Sequence, residues 1–301
     1  MTPLERRNAA LRRFALSITA FTILGAFWLG FEDSWAQPVV ALVTAYVLEL
    51  ALETLEAATV GRPARYRGGR SAFFHFMLPP HITALSIALL VYPNARLMPI
   101  VFATAVAVGS KFIVRAPVGG SWRHFLNPSN VGISVTLLAF PWVGISPPYQ
   151  FSENIGGIWD WIVPAAVLAA GTMLNAKLTQ KGPLISGWLA GFALQAVARS
   201  AVFGTPLVAA LLPMTGFVFV IYTNYMITDP GTTPVARRPQ ALFGFMVAAV
   251  YGALVSVHIA FGLFFALTIV TIGRGAGLYL AAYRARERVG EAPAIAVGQA
   301  R

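Results

Sequence analysis

Two short segments carry residues that could hold a polar ligand. One reads Arg123-His124-Phe125-Leu126-Asn127-Pro128-Ser129-Asn130-Val131-Gly132, the other Tyr225-Met226-Ile227-Thr228-Asp229-Pro230-Gly231-Thr232-Thr233-Pro234. Each sets a small polar acceptor directly before a proline. Asn and Asp accept hydrogen bonds from the free N–H groups of a helix start. Proline suits the first helical position, where its missing N–H would have had no partner. A helix start at membrane depth offers N–H groups and partial positive charge to an anion or a polar ligand. The candidate binding residues are therefore Asn127, Pro128, Thr228, Asp229, Pro230 and Thr232. The plainer alternative is that both segments are caps where loops meet helices.

A second set of candidates is acidic. Glu49, Glu53 and Glu56 fall at i, i+4 and i+7, one face of a helix. Ionisable groups inside membrane spans are costly and mark ion or proton routes. Glu49, the deepest of the three, is the candidate for such a route; the plainer alternative is that Glu56 is interfacial and Glu49 and Glu53 pair with arginines 62–70. The four histidines, at 75, 81, 124 and 258, lack the i, i+3 or i, i+4 spacing of a metal pair. Each reads as a hydrogen-bonded or interfacial imidazole. Trp122, Trp142, Trp159, Trp161 and Trp188 lie near the ends of apolar runs and read as interfacial anchors. Gly61-Arg62-Pro63 and Gly119-Gly120 are turn material, and no phosphate-cradling glycine pattern or hydrolase triad is present. The chain has no cysteine, which excludes disulfides, protein-bound iron–sulfur clusters and thiolate-held haem.

The elements that must position these residues follow from hydropathy. Of 301 residues, 57% are hydrophobic and 11% charged, against about 25% charged in soluble domains. Ten apolar runs cover 14–31, 38–55, 71–92, 95–114, 128–141, 157–175, 183–202, 205–225, 241–257 and 258–281. They are too continuous for the alternating strands of a barrel. A bilayer core of about 30 Å takes about 20 residues of helix, and its backbone must be paired within the chain. The expected fold is an all-α membrane protein of about ten transmembrane helices in one domain.

Of the 22 Lys and Arg residues, 19 fall in alternate gaps and at the two ends; Arg96, Arg199 and Arg274 are the others. Loops rich in Lys and Arg stay in the cytoplasm, so both termini are expected there. Dispersed over short loops, the +11 net charge is no nucleic-acid footprint. The first apolar run is long and no small-residue cleavage site follows it, so it reads as an uncleaved span. Residues 284–301 read as a short cytoplasmic tail. The two Pro-containing segments follow the fourth and eighth runs, each at a boundary on the basic side. Five runs per half is odd, so the halves, about 14–141 and 157–281, are expected to be inverted relative to one another. Such repeats place their binding sites at the repeat interface.

The same segments resemble the NqrB/RnfD family, the membrane subunits of the Na⁺-translocating NADH:quinone oxidoreductase and Rnf complexes. The likeness runs through Leu78-Pro79-Pro80-His81-Ile82-Thr83-Ala84-Leu85, Ser110-Lys111-Phe112 and Phe125 to Gly132. It continues through Met226-Ile227-Thr228-Asp229-Pro230-Gly231-Thr232-Thr233-Pro234 and Phe243-Gly244. The resemblance implies ten helices in two inverted five-helix repeats, similar to urea transporters. It also implies a bacterial inner membrane, flavin, membrane redox partner subunits and electron transfer or coupled ion transport. In the family a threonine in the outer loop after the fifth helix holds flavin mononucleotide covalently. The corresponding loop here, 142–157, contains no threonine. Covalent attachment is therefore not expected. The implied cofactor is non-covalent FMN or riboflavin, and the chain is similar to stand-alone, UnbU-like relatives. The alternative is a transporter or channel for a small polar or flavin-like solute, without redox chemistry.

Overall fold

The computed structural model describes residues 3–31, 33–94, 96–146 and 156–289. Residues 147–155, in the loop after the fifth run, and the tail residues 290–301 lie outside the described residues, and so does that part of the expectations made for them. The described chain is mostly helical, and a helical segment falls on each of the ten apolar runs. In the first half these are α1 (Pro3–Leu24, continued by a π-helical turn at Gly25–Leu29), α2 (Ala36–Val60), α3 (Arg70–Leu90), α4 (Met98–Ile113) and α5 (Pro128–Ala139). In the second they are α6 (Trp159–Leu174), α7 (Gly182–Phe203), α8 (Leu207–Leu211), α9 (Phe217–Ile221), α10 (Arg237–Ser256) and α11 (Gly262–Val289).

Five of these helices, at Arg7–Leu29, Ala36–Val60, Arg70–Leu90, Arg237–Ser256 and Gly262–Ala285, are long and apolar enough to cross a membrane. A sixth would be the pair Leu207–Thr215 and Val218–Met226, which reads as one span but bends by 66°. The break falls at Gly216, which is extended (ψ 151°) between a 3₁₀ turn and α9. α9 then continues as a π-helical turn, Tyr222–Met226. α5 has only 12 residues, about 18 Å of helix. Its N-cap Asn127 is buried, as are Phe125 and Leu126 before it. Helix starts and broken helices at such depth are tolerated where protein, not lipid, surrounds them.

The most extensive helix pairing is α7 with α10. Glycines on both sides let the backbones touch. A Cβ at Gly244 would stand 2.2 Å from the Leu184 carbonyl oxygen, and one at Gly187 would stand 2.1 Å from that of Ala241. Small residues of this kind are the usual means of close helix approach in membranes. In the first half Gly132 of α5 gives α4 the same access, with the Ala103 carbonyl 2.3 Å from a would-be Cβ.

Trp188 corrects the interfacial reading of that residue. It is fully buried, packed among Phe192, Phe219, Tyr222 and Tyr251. Its indole N–H donates to Thr223 Oγ1 at 2.9 Å, the partner a buried Trp requires. Trp122, Trp142, Trp159 and Trp161 are exposed.

The basic loops gather at one end of the bundle. Arg115 reaches Glu56 at the end of α2, and Tyr279 of α11 donates to the Arg115 carbonyl. Lys181 reaches the loop before α10. A two-stranded hairpin, β2 (Arg115–Val118) with β3 (Ser121–His124), also lies there. It turns at Gly119 and Gly120, whose positive φ values of 56° and 77° favour glycine. At the other end β1 (Val91–Tyr92) pairs with β4 (Gly144–Ile145).

Candidate functional site

The start of α5 is built as its sequence implies. Asn127 is the N-cap and Pro128 the first helical residue. Asn127 Oδ1 accepts from the Asn130 backbone N–H at 3.0 Å and from the Ser129 hydroxyl at 2.9 Å. Its amide then donates across to the other half, to the Met226 carbonyl at 2.9 Å. That carbonyl ends the π-helical turn of the broken eighth segment.

One helical turn on, Asn130 makes the second cross-half tie. Its Nδ2 donates to the Phe264 carbonyl of α11 at 3.0 Å and to Thr268 Oγ1 at 2.8 Å. Ser134, the next residue on that face, lies 2.9 Å from the same Thr268 hydroxyl. Asn130 Oδ1 is buried and has no hydrogen-bond partner among the described residues. A third asparagine, Asn175, sits in a π-helical turn after α6. It donates to the Gly171 and Asn224 carbonyls at 3.0 and 2.9 Å. π-turns free carbonyls from the regular helix ladder and recur at functional sites.

The Thr-Asp-Pro segment departs from the expected helix cap. Asp229 and Pro230 lie in a loop, and α10 begins only at Arg237. Asp229 instead closes its own turn. One oxygen accepts from the Gly231 N–H at 3.1 Å and the other from the Thr232 hydroxyl at 2.8 Å. Thr233 donates to the Asp229 carbonyl at 2.6 Å. Gly-Thr-Thr-Pro follows Pro230 and holds off the helix, since Pro234 disfavours a helical residue before it. Thr228 is fully buried and donates to the Asn224 carbonyl at 2.7 Å. Asn127 and Thr228 thus converge on the same broken segment, through Met226 and Asn224. Asp229 and Thr232 sit beyond it, and Pro230 is exposed.

Two basic side chains that sequence reasoning did not assign to this site adjoin the Asp229 turn. His124 Nε2 would stand 3.4 Å from a Cβ at Gly231, beside the Asp229 carboxylate. Burial pushes the His124 imidazole below its usual range; Asp229 opposes this, and Lys111, Arg115 and Arg7 add to it. Lys181 is buried and donates to the Pro234 carbonyl at 2.8 Å. Burial pulls its ammonium down to about 8, against the pull of Asp229 and with Arg274 reinforcing it.

Lys181 sets a pH dependence. Between about 8 and the ordinary 10.5 the folded chain has lost a proton that the unfolded chain keeps. Unfolding therefore takes up a proton, and stability rises with pH across that window. The slope is at most about 1.4 kcal/mol per pH unit. Unfolding followed from pH 7.5 to 10.5 is expected to show this rise in the wild type, and Lys181→Met to remove it.

Glu49 belongs to a different cluster. Its carboxylate meets Lys111 of α4 at 2.5 Å, with both side chains largely buried. Glu53, fully buried, accepts from Arg62 at 2.6 Å and from the Arg65 backbone N–H at 2.7 Å. Glu56 meets Arg62 and Arg65, each at 2.9 Å, and Arg115. Arginines of the next loop thus neutralise Glu53, as the charge pattern implies, and they also hold Glu56, which was expected at the interface, while Glu49 takes Lys111 instead of an arginine. The partner of Glu49 comes from 62 residues away.

No family model matches the chain, and no curated protein matches it significantly.

Proposed function

We infer that the chain is a multi-pass membrane protein whose ten helical segments form two inverted five-helix halves. In this reading it is a relative of the NqrB/RnfD proteins that binds flavin without a covalent bond. It would serve electron transfer or coupled ion transport in a bacterial inner membrane, with both termini in the cytoplasm. Partner redox subunits would complete the electron path.

The observation that carries the reading is the buried junction at Asn127 and Asn130. Among the described residues, Asn130 Oδ1 is a buried side-chain acceptor there without a partner. An unmatched buried acceptor costs about 1–3 kcal/mol, and a ligand N–H or O–H would remove that cost. Flavin carries such donors on its pyrimidine ring and ribityl chain. When bound it supplies one- and two-electron transfer. The residues of this chain supply the rest. Asn127 and Asn130 fix the two halves against each other, Asn130 Oδ1 accepts a ligand hydrogen, and His124 and Lys181 offer donors near Asp229.

A second reading rests on the outer loop. It carries no threonine, so this chain could dispense with redox chemistry and move a small polar or flavin-like solute through the same junction. The absorption spectrum of detergent-purified protein separates the two. A flavin band released on denaturation is the result expected of the first. Colourless protein, still colourless after incubation with FMN and riboflavin, would overturn it and favour the second.

A further inference from the structure

His81 follows Pro79-Pro80 on α3 and is held by two hydroxyls from two other helices. Thr19 of α1 donates its single hydrogen to the Ala15 carbonyl at 2.7 Å. The Thr19 oxygen lies 2.8 Å from His81 Nε2, so it must accept and Nε2 must carry the hydrogen. Nδ1 then presents a lone pair to the Tyr46 hydroxyl of α2 at 2.7 Å, which donates. The Tyr46 and His81 rings are nearly parallel, at 19°. Counting hydrogens thus fixes one tautomer of a neutral imidazole.

Polar groups continue on both sides. Towards the β1 end, Thr22 is one turn beyond Thr19, Pro38 two turns before Tyr46, and Ala88 two turns after His81. These residues, with Asp33, Ser34 and apolar side chains such as Phe31 and Leu89, line a mostly apolar, partly open cavity of about 20 Å³, room for one water molecule. It lies about 10 Å of helix rise from His81, on the same faces of α1, α2 and α3. Towards the basic end, Glu49 is one turn from Tyr46 and holds Lys111. Glu53 and Glu56 follow on α2.

We propose that His81, held between Tyr46 and Thr19, is a proton-transfer site in the first half of the chain, apart from the Asn127–Asn130 junction. The proposal rests on the membrane-spanning reading and not on flavin. A proton from the Glu49 side adds to the Tyr46 oxygen as the Tyr46 hydrogen passes to Nδ1. The imidazolium releases its Nε2 hydrogen to the Thr19 oxygen. The original Thr19 hydrogen, held on the Ala15 carbonyl at rest, leaves once that hydroxyl turns from the carbonyl towards the cavity. Each N–H or O–H bond formed replaces one broken, and no oxidant or reductant takes part. Reorientation of the ring and the two hydroxyls resets the relay.

The chemistry favours H⁺ over a metal cation. Hard cations need a cage of several oxygens. His81 has two hydroxyl partners, and the Glu49 carboxylate is taken by Lys111. No group of three or more His, Asp, Glu or Cys forms among the described residues. The ionisable groups around the relay are Tyr46, Glu49 with Lys111, Asp33 at the cavity, and His75 with Arg12 towards the basic end. Arg12 Nη2 lies 2.8 Å from His75 Nε2, and the Ser71 carbonyl lies 2.7 Å from His75 Nδ1. Both ring nitrogens of His75 are thus taken by Arg12 and the Ser71 carbonyl, outside the relay, and His75 is the control.

The test uses the full chain in liposomes with a trapped pH dye and a potassium diffusion potential. Wild-type protein is expected to carry protons above the rate of empty liposomes, with no dependence on Na⁺. His81→Gln keeps an amide for both hydroxyls but cannot hold a proton, and is expected to lower the flux about a hundredfold. Tyr46→Phe should do the same, while His75→Gln should leave the flux unchanged. Gel filtration reports whether each variant is folded, and Tyr46→Phe decides the matter if His81→Gln is not. A wild-type flux no greater than that of empty liposomes would overturn the proposal, as would wild-type flux in folded His81→Gln or, failing that, in Tyr46→Phe. Colourless protein that carries protons would sink the flavin reading alone; yellow protein with no flux would sink this one alone.

Discussion

Glu49→Gln and Lys111→Met are each expected to lower stability by about 3–5 kcal/mol, and the double variant to recover most of the loss. Removing one member of a buried ion pair strands the other charge. Side-chain exposure is 8% for Glu49 and 11% for Lys111, so neither can turn to water. The Glu53 cluster is the contrast. Its arginines are 31% and 56% exposed, and a stranded guanidinium there can still reach solvent. Loss of Glu53 should therefore cost less than its three-way bonding implies. Unfolding in mixed micelles, measured for the two singles and the double, gives the coupling directly. A coupling near zero would mean that the pair is open to water. The cycle also bears on ion transport. A carboxylate locked to an ammonium is a poor docking point for Na⁺, so Glu49→Gln should affect transport in vesicles through the proton path or not at all.

The helical segments were legible because each apolar run is bounded by charge, glycine or proline. Run 128–141 corresponds to Pro128–Ala139 and run 241–257 to Arg237–Ser256. Run 205–225 shows why hydropathy alone misleads. It is apolar throughout, yet the chain bends inside it at Gly216, because the bend is solved by local backbone geometry that leaves the average unchanged. The Asn127 cap was legible from the Asn-Pro pair itself. Asp229-Pro230 reads the same way over two residues, but Gly231 and Pro234 favour a turn in which Asp229 bonds its own neighbours. Pairings between distant segments left no local trace. Glu49 with Lys111, Asn127 with Met226, and His81 with Thr19 and with Tyr46 each join residues 35 or more positions apart. The acid Glu49, set inside an apolar run, is the sequence signal that pointed towards one of them.

Asn127 makes one of the two asparagine ties between the halves, and two substitutions there should separate its roles. Asn127→Ala removes the cap, worth about 1 kcal/mol, and leaves the buried Met226 carbonyl without its donor, worth about 1–3 kcal/mol. The expected loss is about 2–4 kcal/mol, with any bound flavin released. Asn127→Asp keeps the shape and the cap, and its charge suits a helix start. It loses the Nδ2 donor, however, and sets a carboxylate oxygen against the Met226 carbonyl. Only the protonated acid can restore the tie, so its pKa in the folded state is raised above that of the unfolded chain. The folded state then binds the extra proton, and stability must rise as pH falls between those two values. Asn127→Asp should therefore be weakest near neutral pH and regain stability on mild acidification, whereas Asn127→Ala should not regain it. Parallel pH profiles for the two variants would show that the amide serves only as a cap and that the tie between the halves is carried elsewhere.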